Sequence, residues 1–237
     1  MSQTFATLKT AVADYLNRSD IAAATVGHFI NLAMRNLEDG QITIDGNIQS
    51  HNWNCMQVRQ TTTPATVATF LTFPSRIKDV MWLKILEDEI YYDLSPVTAS
   101  VAYSLHPHGD DVTGRPTVFA LLEAQSEILL RPYPDQVYLY DINYYAYHED
   151  LSADASHNWW TDYHWDILLY GALLQATPYL VEDPRIAVWQ NFYDRAVAQL
   201  YRQEKQKNTS GGMLQIRSYL PRQLAYGGGG FDINVIE

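Results

Sequence analysis

The chain has 237 residues, 47% of them hydrophobic, so it can bury a sizeable core without disulfide bonds. It carries 16 basic and 27 acidic residues, a formal net charge of −11, and it lacks the clustered Lys and Arg residues with which proteins bind nucleic-acid phosphates tightly. The sequence shows no signal-peptide pattern and no uninterrupted apolar run of the ~18 residues that a membrane span needs, so we expect no membrane association.

Two amphipathic helices are predicted in residues 1–55. Thr4 is a suitable N-cap for the first helix, and Asp39-Gly40 is a suitable end for the second. Apolar residues recur at helical spacing on one face of each helix: Phe5, Leu8, Val12, Tyr15 and Leu16, then Phe29, Ile30, Ala33, Met34 and Leu37. Both faces should pack on other helices.

Residues 56–150 are predicted to form an antiparallel β-rich insertion domain, because the apolar period changes to two at about Met56. The final strand, Val137 to Tyr147, places Tyr138, Tyr140, Ile142 and Tyr144 on one face, which should be buried. Glu87-Asp88-Glu89 is interpreted as a solvated hairpin turn between two of the strands.

Residues 151–207 are predicted to form a helical hairpin. Its first helix runs from Trp159 to about Val181, and its second follows the break at Glu182-Asp183-Pro184 and ends at Lys207. Together with the N-terminal pair, this hairpin predicts an α+β protein with a bundle of four long helices, two N-terminal and two C-terminal.

Residues 208–237 are predicted to form an extended C-terminal arm. Met213 to Leu220 and Phe231 to Ile236 each alternate in polarity, so both could add as strands to the sheet edge of a partner. The run Gly227–Gly230 between them is interpreted as a hinge. The residues predicted to bind a partner are Leu214, Ile216, Tyr219, Leu220, Pro221, Leu224, Tyr226, Phe231, Ile233, Val235 and Ile236.

Two motifs permit other interpretations. The loop His106-Pro107-His108-Gly109-Asp110-Asp111 partly resembles a metallo-hydrolase signature, and a metal-dependent hydrolase using His106, His108 and Asp110 is one alternative. The other interpretation of this loop is a polar turn.

An aromatic-rich segment begins the helical hairpin. It could bind sugars in a carbohydrate-binding tail component, or it could supply packing at subunit contacts. The residues predicted for ring or subunit packing are Trp159, Trp160, Trp165, Trp189 and Tyr193.

The motifs taken together resemble the head-to-tail adaptor (head completion) family of short-tailed bacteriophages. They occur in the family's order along almost the whole chain: Leu16-Asn17-Arg18-Ser19-Asp20-Ile21, Phe29-Ile30-Asn31-Leu32-Ala33, Gly114-Arg115-Pro116, Ile128-Leu129-Leu130-Arg131-Pro132-Tyr133-Pro134, Leu168-Leu169-Tyr170-Gly171-Ala172 and Trp189-Gln190-Asn191-Phe192-Tyr193.

This resemblance implies a structural virion protein without a catalytic site, cofactor or metal. Its copies would form a ring, usually a dodecamer, between the portal and the tail nozzle, in contact with nozzle or fibre proteins. The arm would dock on the portal or on a neighbouring subunit, and DNA would pass through the lumen without tight binding. The expected location is the head–tail junction of the virion, after assembly in the host cytoplasm.

Overall fold

A computed structural model of the chain describes residues 3–18, 20–44, 47–72, 74–105, 112–122, 126–180 and 183–209. Six α-helices lie in these segments: α1 (Phe5–Leu16), α2 (Ala23–Glu38), α3 (Ala99–Leu105), α4 (Trp159–Tyr163), α5 (Trp165–Gln175) and α6 (Arg185–Thr209). The Thr4 hydroxyl accepts a hydrogen bond from the Thr7 N–H at the start of α1, and Asn17 ends that helix in the left-handed conformation, with φ 52°. The cap predicted at Thr4 is thus confirmed.

The helix predicted from Trp159 to Val181 is divided in the structure. Asn158 and Thr161 form a reciprocal capping box that starts α4, but the backbone of His164, at φ −140° and ψ 42°, leaves the helical region. α5 then continues for only 11 residues and gives way to a 3-10 turn, Thr177–Tyr179, that contains Pro178. Pro178 thus accounts for the end of the helical region before Val181, whereas the His164 side chain makes no capping hydrogen bond at the break between α4 and α5.

The expected bundle of four long helices is wrong. The chain has a mixed α+β fold in which the helices accompany a curled seven-stranded sheet. Its strands are β3 (Gln57–Thr62), β4 (Phe70–Thr72), β5 (Ile77–Glu87), β6 (Ile90–Pro96), β7 (Val118–Leu122), β8 (Glu127–Arg131) and β9 (Leu139–Ala146). A hairpin of β1 (Gln41–Ile44) and β2 (Asn47–Ser50), which the sequence pattern did not predict, precedes this sheet.

The strand order in the sheet is β3-β9-β5-β6-β7-β8-β4. Neighbouring strands are antiparallel except for β6 and β7, which pair in parallel through Ser95 with Val118 and Pro96 with Phe119. The sequence pattern predicted an antiparallel sheet, and the parallel pair β6–β7 shows that this prediction is wrong at one position in the sheet. A parallel pair needs a crossover connection, and α3 lies within it.

The largest hydrophobic core lies among α1, α2, α5 and α6, with Trp53, Met56, Leu151 and Trp160 added from outside those helices. α5 is central to this core, and all residues from Ile167 to Leu169 are buried. A second core lies on the inner face of the sheet. It includes Tyr138, Tyr140, Ile142 and Tyr144, which confirms the buried face predicted for the last strand.

Two buried glutamates join the helices to the residues around the sheet. The carboxylate of Glu38, at the end of α2, accepts hydrogen bonds from His148 Nδ1 at 2.6 Å and from Trp160 Nε1 at 2.9 Å. Glu204, on α6, contacts His51 Nε2 at 2.8 Å and accepts a bond from the Asn54 backbone N–H at 3.0 Å. Buried carboxylates that accept hydrogen bonds in this way fix the relative position of the elements that they join.

Candidate interaction surfaces

The aromatic residues predicted for subunit packing occupy different environments. Trp160 is fully buried and Trp189 is 5% exposed, and both belong to the helical core. Tyr193 is half-buried against this core, and its burial raises the pKa of the phenol to about 12. Trp165 is exposed and Trp159 is half-buried. Only the last two are placed where a partner could cover an indole ring.

Trp159 lies within an aromatic group at the start of the helical hairpin. Its ring centroid is 5.0 Å from that of Trp160, 5.6 Å from that of Tyr163 and 5.0 Å from that of His164. Burial, the main cause, lowers the pKa of the His164 imidazole below its ordinary value. The group therefore connects the core to the surface in a continuous set of ring contacts.

A second apolar surface lies on α1, α5 and α6, and we call its residues, Tyr15, Tyr170, Val188 and Phe192, the lateral patch. Tyr170 and Phe192 stack with their ring centroids 5.2 Å apart and their planes inclined by 25°. Tyr15, Val188 and Phe192 are all exposed, and Val188 and Phe192 are one helical turn apart on α6. The sequence did not single out these residues, although Tyr170 belongs to an apolar stretch with more apolar side chains than one buried face can accommodate.

Arg185 fixes the position of α6 beside α1 at one end of the lateral patch. Its guanidinium donates to the backbone carbonyl of Tyr15 at 3.0 Å and to that of Leu16 at 3.4 Å, where the helix dipole favours a cation. It also pairs with Asp183 at 2.6 Å and thereby holds the pKa of that carboxyl below its usual range. Two of the three helices that carry the patch, α1 and α6, are thus joined before any partner arrives.

The two edge strands of the main sheet face one shared cavity. Its volume is about 160 Å³, and it is lined by Gln60 and Thr62 of β3, Leu71 and Thr72 of β4, Pro74, and the inner-face residues Leu83, Ile128 and Ile142. The sheet therefore curls until its first and last strands approach each other, and it stays open between them. We call this opening the edge slot.

The histidines in the described part of the chain are not brought together as metal ligands. Residues 106–111, the loop for which a metal site was one interpretation, lie outside it. His148 is bonded to Glu38, and His157 contacts Asp162. Among the described residues no group of three or more His, Cys, Asp and Glu side chains could hold a metal ion.

The turn at residues 87–89 supports the sheet. Asp88 and Glu89 both have positive φ, 48° and 63°, as a tight hairpin requires. Glu87 pairs with Arg115 at 3.0 Å, and the Arg115 guanidinium lies 3.7 Å from the centroid of the Tyr92 ring.

The residues of the predicted arm that were expected to bind a partner, from Leu214 to Ile236, lie outside the described residues.

The sequence profile of a family described as SU10 adaptor protein matches residues 3–216. The chain belongs to this family. The match extends from the first helix through the sheet to the beginning of the arm, which confirms the resemblance to head-to-tail adaptors that the motifs indicated. The protein is accordingly a structural adaptor of a bacteriophage virion.

No curated protein matches the chain. Within the described segments, none of the helices is both long enough and apolar enough to cross a membrane.

Proposed function

We propose that this SU10-family adaptor forms a ring between the portal and the tail nozzle and that the ring contacts nozzle or fibre proteins. The observation that carries the proposal is the lateral patch. It presents the exposed side chains of Tyr15, Val188 and Phe192 to solvent, beside the half-buried Tyr170, and Arg185 already holds α6 against α1. A monomer has no need of exposed aromatic anchors of this kind, whereas subunit interfaces are enriched in them.

A cyclic ring needs one surface on each subunit that meets a different surface on the next. The lateral patch supplies the first surface. Trp159 and Trp165, at the start of the helical hairpin, are candidates for the second, because they combine a large apolar area with partial exposure. The 17 tyrosines of the chain give it many side chains that suit a partly wet contact.

The lumen of the ring passes DNA without tight binding. The formal net charge of −11 supports this, because an acidic wall repels phosphates and keeps the genome mobile. The C-terminal arm docks on the portal or on a neighbouring subunit, and its alternating apolar segments support this role.

The experiment is to mix the purified full-length chain with its portal protein and to measure the mass of the complex by native mass spectrometry. We expect a closed ring of adaptor copies on each portal ring. A chain that stays monomeric beside an intact portal would contradict the proposal. Tight, salt-sensitive binding of duplex DNA by the assembled ring would contradict the lumen assignment.

A further inference from the structure

The edge slot combines an apolar floor with two strand edges that could accept backbone hydrogen bonds. Leu71, Leu83, Ile128 and Ile142 form the floor, and each is at most 5% exposed. Among the described strands, β3 pairs only with β9 and β4 pairs only with β8. One edge of each strand therefore presents its N–H and C=O groups to the slot or to solvent.

The shape of the slot favours an extended occupant. A helix has no backbone groups to offer to a strand edge, whereas an added strand satisfies such groups directly. Because side chains alternate across a strand, the occupant should have apolar residues at every second position, directed to the floor, and polar residues between them.

The arm of this chain contains such a segment. Phe231, Ile233 and Val235 alternate with Asp232 and Asn234, and β-branched and aromatic residues favour strands. Phe231–Ile236 is as long as β3, which has six residues. We infer that Phe231–Ile236 of one copy inserts as a strand between β3 and β4 of a neighbouring copy and closes the sheet.

The place where the chain leaves α6 supports this assignment. Glu204 is bonded to the Asn54 backbone, three residues before β3 begins, and α6 ends at Thr209, ~7.5 Å further along the helix. β3 itself spans ~20 Å. The slot residues of β3, Gln60 and Thr62, lie six and eight residues beyond Asn54, so the arm starts within ~40 Å of the slot of its own copy.

Residues 210–230 give the strand ample reach. Fully extended, these 21 residues span up to ~70 Å, which exceeds the ~40 Å to the subunit's own slot. Around a ring, each copy can give one strand and receive one, so the exchange closes. Linked contacts of this kind also raise the effective concentration of every arm. The inference rests on the ring proposed above.

The test uses disulfide formation between two full-length variants, each with one added cysteine. One carries Thr62→Cys, on the slot side of β3, and the other carries Ile233→Cys in the arm. They are mixed, assembled on the portal and oxidised. The native Cys55 can stay, because burial raises the pKa of its thiol and leaves it poorly reactive.

The matched control replaces Thr62→Cys with Thr61→Cys, which is exposed on the same strand but faces away from the slot. We expect the Thr62 mixture to give disulfide-linked dimers in about tenfold higher yield than the Thr61 mixture. Equal yields from the two mixtures would overturn the inference.

A chain with both Thr62→Cys and Ile233→Cys separates exchange between copies from insertion into the same copy. Linked oligomers on a non-reducing gel support exchange, and an internal link without oligomers overturns it. A ring that assembles on the portal without any slot link removes this inference and leaves the proposed function standing. Failure of the ring to assemble removes both.

Discussion

Glu204 accepts a hydrogen bond of 3.0 Å from the backbone N–H of Asn54 and thereby fixes the last long helix to the chain just before the first edge strand of the sheet. The other oxygen of the same carboxylate lies 2.8 Å from His51 Nε2. Glu204 is only 4% exposed, so its two contacts replace the water that a carboxylate normally binds. The contact couples the position of α6 to the segment that leads into β3.

Glu204→Gln should therefore lower the free energy of unfolding. The amide keeps the shape of the side chain but loses the charge that strengthens both hydrogen bonds, and its NH₂ group needs an acceptor nitrogen on the His51 ring. Weakening buried hydrogen bonds to a charged group costs about 1–3 kcal/mol. Urea denaturation followed by tryptophan fluorescence measures the change.

The matched control is Gln203→Ala, at the exposed neighbouring position on α6. Surface changes of this kind stay within about 0.5 kcal/mol. If both variants unfold at the same urea concentration as the natural chain, Glu204 does not join the two regions energetically.

Gly171 lets α5 approach α2 closely. A Cβ atom at this position would lie 3.0 Å from the Ala33 Cβ and 3.3 Å from a Tyr193 ring carbon. The Ala33 methyl is attached directly to the α2 backbone, so the helix itself would have to move. We expect Gly171→Ala to destabilise the fold by about 1–2 kcal/mol, because overpacking exceeds the gain in helix propensity.

A double-mutant cycle checks the cause of this loss. Ala33→Gly removes the methyl group that the new Cβ would meet, so the pair Gly171→Ala with Ala33→Gly should lose less than the sum of the single changes. Thermal or urea unfolding of the four proteins gives the coupling energy. Strict additivity would show that the close contact between α2 and α5 is not the reason.

Helical periodicity and strand alternation predicted the local faces of the fold. Leu8 and Val12 recur on one face of α1 and are buried, and Tyr140 and Ile142 recur on one face of β9 and are buried too. These assignments depend only on which side of an element is apolar. The start of α4 after Asn158 could be found in the same way, because Asn158 and Thr161 have the spacing of a capping box, but that spacing carries no sign of the break at His164.

Contacts between distant parts of the chain were not predictable in this way. The spacing at which apolar residues recur along a segment carries no information on the parallel pairing of Ser95 with Val118 or on the curl of the sheet that opens the edge slot. Glu38 and Glu204 are charged, so their types suggested solvent exposure. Their burial depends on His148, Trp160, His51 and Asn54, which are distant in sequence and meet only in the folded protein.

We expect the His164 side chain to make the folded protein less stable in mild acid. Burial lowers its pKa below the ordinary value of 6.5, so the unfolded chain binds a proton at a higher pH than the folded chain does. The neutral imidazole's contribution to the free energy of unfolding is fully present above pH 6.5 and is lost as the pH falls through the lower pKa of the folded state. His164→Gln should therefore make the unfolding midpoint less dependent on pH between about 7 and 5.

Urea midpoints of the natural chain and of His164→Gln, measured across this range, test the prediction. The control is His28→Gln, which alters an exposed histidine on α2. Parallel pH profiles for the natural chain and His164→Gln would rule out the half-buried His164 imidazole as the source of the acid sensitivity.

Phe192→Glu should prevent ring assembly and leave the subunit folded. Phe192 is 43% exposed and stacks on Tyr170, so the new carboxylate stays solvated in the monomer but would be buried without a partner charge in a subunit contact. Removal of the stack should cost the monomer about 1 kcal/mol. Loss of a central aromatic anchor should weaken assembly on the order of tenfold or more. Val101→Glu, at an equally exposed apolar position on α3 (43%), introduces the same charge outside the lateral patch. Sedimentation of both variants with the portal distinguishes the two sites: Val101→Glu should assemble normally, and normal assembly of Phe192→Glu would show that the lateral patch is not a subunit contact.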